Sequence, residues 1–172
     1  SNLTINSTND YVGLFGVLKG TIKNIKLKDI SVSGNEFVGS LVGHNDSGTI
    51  ENIELENISV KGQDNVGGLV GWNAGTIEKC YATGSVTGVN AVGGLVGENQ
   101  GSVIKSYSAV SVLGEKDVGG LVGYNNSGTI MDSYVTGSVT GTVYDIGGLV
   151  GENRGTVTNC YADVELKRLI DN

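Results

Sequence analysis

Proline is absent from this 172-residue chain, histidine occurs once (His44), cysteine twice (Cys80 and Cys160) and arginine twice (Arg154 and Arg168). One histidine excludes multi-histidine zinc sites and the His-Glu-x-x-His zinc motif, and leaves His44 alone as a base for a Ser-His-Asp triad. Positive charge is scarce, with 11 Lys+Arg against 18 Asp+Glu and a net charge of −7, and no basic cluster. Nucleic-acid binding needs a basic face to neutralise phosphates, so no nucleic-acid partner is expected. No apolar run reaches 18 residues, so no membrane-spanning helix and no membrane insertion are expected. No signal peptide opens the chain. Ser1-Asn2 before Leu3 reads as a cloning remnant on an excised piece, so that missing signal carries no weight.

What the chain has in excess is glycine: 29 of 172 residues, against about 7% in ordinary proteins. Without proline beside it, this glycine has a positional role rather than a disordered one. The string Val-Gly-Gly-Leu-Val-Gly occurs at 66–71, 92–97 and 118–123, with variants at 11–16, 38–43 and 146–151. Its leucines, at 14, 41, 69, 95, 121 and 149, are spaced by 27, 28, 26, 26 and 28 residues. Each string is followed by Gly-Thr-Ile or a close variant, then by a second apolar stretch. The apolar segments are short and β-branched, and are punctuated by Gly, Asn, Asp, Ser and Thr, which is strand punctuation. Glycine at this density would cost a helix about 1 kcal/mol each. The reading is all-β: a parallel β-solenoid (β-helix-like) of six coils of 26–28 residues, in one repeat domain spanning 1–172. The coils run at about 11–37, 38–65, 66–91, 92–117, 118–145 and 146–172. Residues 3–10 form a partial first coil, whereas 165–172 leave the pattern without a clear cap, so the parent chain is expected to continue on at least one side.

Stacked coils place equivalent residues above one another about 4.8 Å apart, so each column defines an environment. Three aliphatic columns are assigned to the core: Leu14 to Leu149, Ile22 to Val157 and Val32 to Leu166. Leu69 and Val70 are adjacent, so strict alternation would turn one outward unless the backbone departs from it at the glycine pair. The glycines are expected to supply positive φ at corners and close approach between coils. Asn45, Asn73, Asn99, Asn125 and Asn153 form a structural ladder, with Leu18 in the first repeat. Cys80 and Cys160 share a column three coils apart, about 14 Å by stacking, too far for a disulfide.

Candidate binding residues are aromatic. Tyr81, Tyr107, Tyr134 and Tyr161 form an outward column continued by the opposite charges of Lys26 and Glu54, and Trp72 and Tyr124 add aromatic surface in another column. Stacked tyrosines stabilise a parallel sheet unaided, and they also suit sugars or protein partners. His44 is assigned to the surface, in a column with Val17, Trp72, Glu98, Tyr124 and Glu152. Glu98 and Glu152, two coils apart, approach the carboxylate spacing of an inverting glycosidase, but Tyr124 lies between them and no cleft is implied. Asp10, Asp117 and Asp145 are placed in one corner column with Asn65, where a calcium site would need further convergent oxygens. No catalytic residue, metal site or cofactor is assigned.

The Gly-Leu-apolar-Gly core at 13–16, 68–71, 94–97, 120–123 and 148–151 resembles the GLUG repeat, as do Asn-x-Gly-Thr-Ile and Cys-Tyr-Ala-Thr-Gly-Ser-Val at 73–77 and 80–86. Ser40-Leu41-Val42-Gly43 departs in its first residue, and the first two repeats carry Ile25-Lys26-Leu27 and Ile53-Glu54-Leu55 in place of Cys-Tyr-Ala. The resemblance implies a secreted or surface-anchored bacterial protein, adhesin-like or immunoglobulin A protease-like, in which the repeat supplies no catalytic residues. The expected role is a non-enzymatic structural or adhesive module, a stiff spacer with an aromatic face for a host glycan or extracellular protein, flanked by neighbouring domains of the parent chain. The alternatives are an accessory substrate-recognition domain of a larger secreted protease and a carbohydrate-active β-helix enzyme.

Overall fold

In the computed structural model, which describes residues 3–169, every regular element is a strand and every pairing between strands is parallel. About six turns of the chain stack as a β-solenoid, in which each coil bonds to the coils before and after it. Two sheets result, one of fourteen strands and one of six. The six-stranded sheet is built from Phe15–Leu18, Val42–Asn45, Val70–Asn73, Val96–Asn99, Val122–Asn125 and Val150–Asn153. The larger sheet takes the remainder, including the Thr-Ile strands such as Thr76–Glu78 and the long strands such as Tyr107–Gly119. Leu3–Asn6 pairs with the following coil through Leu3 and Ile30, a partial turn ahead of the first full one. Of residues 165–172, expected to leave the pattern, Glu165–Arg168 instead continue the last strand in register with Ser138–Gly141, and 170–172 lie outside the described residues.

The core follows from the columns. Leu41, Leu69, Leu95 and Leu121 are wholly buried, as are Ile50, Ile77, Val103 and Ile130. Burying each such side chain contributes about 1.5–3 kcal/mol. Three residues assigned to these core columns are instead exposed: Leu14, Val157 and Leu166. They belong to the terminal coils, which have a neighbour on one side only. Leu69 and Val70 are both buried, with no bulge. The chain bends between the Asp64–Gly67 and Val70–Asn73 strands, so Gly68 and Leu69 lie outside the strict alternation of a strand.

Two expectations are corrected. Positive φ is carried mainly by residues other than glycine. One column of left-handed backbone runs through Tyr11, Phe37, Asn65, Ala91, Asp117 and Asp145, and another through Asn24, Asn52, Lys79, Lys105, Asp132 and Asn159. Among the described glycines only Gly84 and Gly137 have positive φ. The glycines serve close approach instead: a Cβ on Gly97 would lie 2.6 Å from the Gly71 carbonyl oxygen of the preceding coil. The second correction is one of register. Val12 pairs with Val38 and Phe15 with Val42, so the first repeat is one residue short at the glycine pair. Tyr11, not Asp10, therefore belongs to the corner column of Asn65, Asp117 and Asp145. Asp10 lies one place upstream, where its Oδ1 accepts from Asn35 Nδ2 at 2.8 Å and from the Glu36 amide at 3.2 Å.

Candidate functional site

The proposed aromatic face divides between the two sheets. Tyr81, Tyr107, Tyr134 and Tyr161 begin successive strands of the larger sheet and pair residue for residue. The rings of Tyr81 and Tyr107 stack at 4.9 Å, and those of Tyr107 and Tyr134 at 4.2 Å. Exposure rises along the column, to 47% at Tyr134 and 62% at Tyr161. Parallel register fixes this geometry, because a strand spacing near 4.8 Å is also a favourable offset-stacking distance for aromatic rings. The hydroxyls of Tyr107 and Thr136 lie 2.7 Å apart, which fixes the tilt of that ring.

At the N-terminal end the tyrosine column becomes ionic. Tyr81 pairs with Glu54, and Glu54 with Lys26, whose Nζ donates to Glu54 Oε1 at 2.7 Å and lies 2.7 Å from Glu56 Oε1. Lys26 and Lys28 together hold the Glu56 carboxyl at about 2, well below the usual range. The pairs are solvent-exposed, so their contribution to stability is small.

Trp72 and Tyr124 lie in the six-stranded sheet, away from the tyrosine column, in register with Glu98 between them. His44 is the neighbour of Trp72 on the other side, with ring centroids 4.2 Å apart. Here the sequence assignment is corrected: His44 is packed, not exposed. Its side chain is 22% exposed and its Nδ1 is buried without a hydrogen-bond partner. Burial pushes its pKa below the ordinary histidine value, with Asp46 partly opposing. Tyr11 and Phe37, of the bend column, stack at 5.0 Å beside it, so four rings from two adjacent columns form one cluster. Sequence reasoning missed Tyr11 and Phe37. The signal was present: each immediately precedes the Val-Gly of its repeat.

The two glutamates weighed as a hydrolytic pair are each engaged elsewhere. Glu98 accepts from Gln100 Nε2 at 2.9 Å and Asn126 Nδ2 at 3.1 Å, while Glu152 accepts from Arg154 Nε at 2.6 Å. Tyr124 stands between them, its Oη donating to Asn126 Oδ1 at 3.0 Å. A different acidic set is brought together at the adjacent bend. One carboxylate oxygen from each of Asp117, Asp145 and Glu152 lies within 4.8 Å of the others. Burial pushes the Asp117 carboxyl above its ordinary value, and Glu152 and Asp145 add to that shift while Lys116 opposes it.

The asparagines hydrogen-bond in series inside the solenoid. Nδ2 of Asn45, Asn73, Asn99 and Asn125 each donates to Oδ1 of the next, at 2.7, 2.8, 2.9 and 2.7 Å. Each also bonds back to its own turn, as when Asn45 Oδ1 accepts from the Gly48 amide at 2.9 Å. Cys80 and Cys160 are free thiols. Ser106 and Ser133 stand between them in the column, bonding through Cys80 N to Ser106 Oγ and Ser106 N to Ser133 Oγ.

The fold and this side-chain pattern define a β-solenoid repeat module. The GLUG motif matches residues 62–87, 114–140 and 142–166, and these segments form a GLUG-repeat region. No curated protein matches it.

Proposed function

We propose that this chain is a non-enzymatic structural and adhesive module of a secreted or surface-anchored bacterial protein. It serves as a stiff spacer between neighbouring parts of its parent and presents the tyrosine column to a host glycan or extracellular protein. The stacked rings of Tyr81, Tyr107 and Tyr134 carry this reading. A sheet bonded on both sides holds them in place, so a partner that lies along the axis meets aromatic area at little cost in side-chain entropy. Sugars stack on such rings through their C–H faces, and proteins through apolar side chains. Tyrosine is also enriched at the centres of protein interfaces.

The test is binding of the chain to a panel of host glycans, mucins, immunoglobulins and matrix proteins, beside a Tyr81→Ala/Tyr107→Ala/Tyr134→Ala/Tyr161→Ala variant whose fold is checked by circular dichroism. Saturable binding lost in the folded variant supports an adhesive face. A chain that binds no member of the panel is a spacer only, with the tyrosines serving sheet stability.

A further inference from the structure

The acidic cluster of Asp117, Asp145 and Glu152 contains a buried carboxylate oxygen with no hydrogen-bond partner. Asp117 and Asp145 occupy equivalent left-handed positions at one bend, with φ of 51° and 56°. Glu152 comes from the following strand of the six-stranded sheet, in register with Tyr124. Left-handed backbone alone explains an Asp or Asn at the bend, because their short polar side chains tolerate it. It does not explain why three carboxylates converge, nor the state of Asp117. The Asp117 side chain is only 8% exposed, and its Oδ1 is buried without a hydrogen-bond partner. Lys116 stands 3.5 Å away on Oδ2, and Arg154 is close enough for its charge to interact with Asp117. A buried carboxylate oxygen without a donor is expensive, and two further carboxylates beside it make the position worse.

We propose that Asp117, Asp145 and Glu152 form a binding site for a hard divalent cation of the calcium type. The mutual spacing of their oxygens, within 4.8 Å, is what a shared cation permits: with metal–oxygen distances of about 2.4 Å, ligands on one ion are separated by at most about twice that length. The cation replaces the missing donor at Asp117 Oδ1 and offsets the like charge of the three groups. Arg154, now on Glu152 and largely exposed, is free to swing into solvent when the ion enters. Of the three, Asp145 also lines a groove of about 510 Å³ together with Tyr144, Gly151 and Arg168. Water completes the shell, so affinity falls in the weak range of extracellular calcium modules, about 10⁻⁴–10⁻³ M. Because Asp117 stands one turn before Asp145 and Glu152, the ion pins two adjacent turns of the stack together.

The test is isothermal titration of the chain with calcium and, separately, with magnesium, for wild type, Asp117→Asn, Asp145→Asn and the remote control Asp46→Asn. Asn65 already occupies the same bend with φ 53°, so asparagine fits that backbone. Saturable binding of one ion per chain is expected, weakened at least tenfold in both cluster variants and unchanged in the control. The ion with the tighter curve names the occupant. Heat with neither ion, or binding retained in both cluster variants, overturns the proposal. Amide hydrogen exchange on the wild type is an independent readout. Exchange across Val150–Asn153 should slow in calcium relative to chelator, and unchanged exchange there also overturns it.

Discussion

Replacing Asn99 by alanine should destabilise the middle of the rod far more than the same change at Asn153. Asn99 is wholly buried. Its Oδ1 accepts from Asn73 Nδ2 at 2.8 Å, and its Nδ2 donates to Asn125 Oδ1 at 2.9 Å. Truncation leaves Asn125 Oδ1 without a donor in a dry interior and takes from Asn73 Nδ2 its bond to the next coil, leaving it the Gly75 carbonyl at 3.2 Å. With about 1–3 kcal/mol for the unsatisfied oxygen and about 1 kcal/mol for the lost amide bond, the loss is about 2–4 kcal/mol. For a chain of this size, that lowers the melting temperature by about 5–15 °C. Asn153 ends the ladder and is exposed, so its truncation orphans only Asn125 Nδ2, which keeps its bond to the Gly128 carbonyl at 3.1 Å. A loss of about 1 kcal/mol is expected there. Thermal melts of both variants, with hydrogen exchange to localise the damage, measure the difference. Equal losses at the two sites would refute the argument that the amides act as a buried hydrogen-bonded series.

Gly94→Val should prevent folding or cost many degrees, because a Cβ there would overlap the Gly120 carbonyl oxygen and Ser108 Oγ, whereas Glu78→Val on the outer face should melt near wild type. Equal melting temperatures would count against the packing. His44 has a folded-state pKa below its ordinary value, so the stability it contributes is complete above about pH 6.5 and is lost as pH falls through the folded value. His44→Gln should flatten that acid-side loss, and Trp72 fluorescence, with its indole 4.2 Å from the imidazole, should lose its titration in the variant. Burial pushes the Cys80 thiol up to about 12, so native protein should react with a thiol reagent at Cys160 first and at Cys80 only on unfolding. Equal rates at both would refute that placement.

The coil count and most of the register were legible in the sequence because parallel stacking turns a repeat into columns. Tyr81 above Tyr107 or Asn73 above Asn99 follows from spacing alone. What failed was local. A residue missing beside Gly13 moved Tyr11 into the bend and Asp10 out of it, and a leucine-anchored alignment hides such a deletion upstream of the leucine. Left-handed backbone at Phe37, Ala91 and Lys105 has no residue-type signature, since the stack imposes it. His44 reads as a surface residue from its glutamate column-mates, yet Tyr11 and Phe37 of the bend column cover it beside Trp72 of its own. The acidic set combines two bend residues with one from the adjoining sheet, a pairing across columns that spacing within one column does not reveal.

That difference between columns also says where to look for function. Inside the solenoid a side chain is packed chiefly against its own column and the columns facing it, so each position accepts a narrow range of volumes. Ile50, Ile77, Val103 and Ile130 show that restraint. Outside, nothing enforces uniformity, and the outer column of the six-stranded sheet runs through Val17, His44, Trp72, Glu98, Tyr124 and Glu152 without it. With the bend column beside it, this surface passes from aromatic at Tyr11, Phe37, His44 and Trp72 to acidic at Asp117, Asp145 and Glu152. Against that background, four consecutive outward tyrosines are a uniformity that core packing does not require. The same stacking therefore gives the solenoid surfaces of distinct chemistry at fixed positions: a tyrosine strip on one sheet, and an aromatic end and an acidic end on the other.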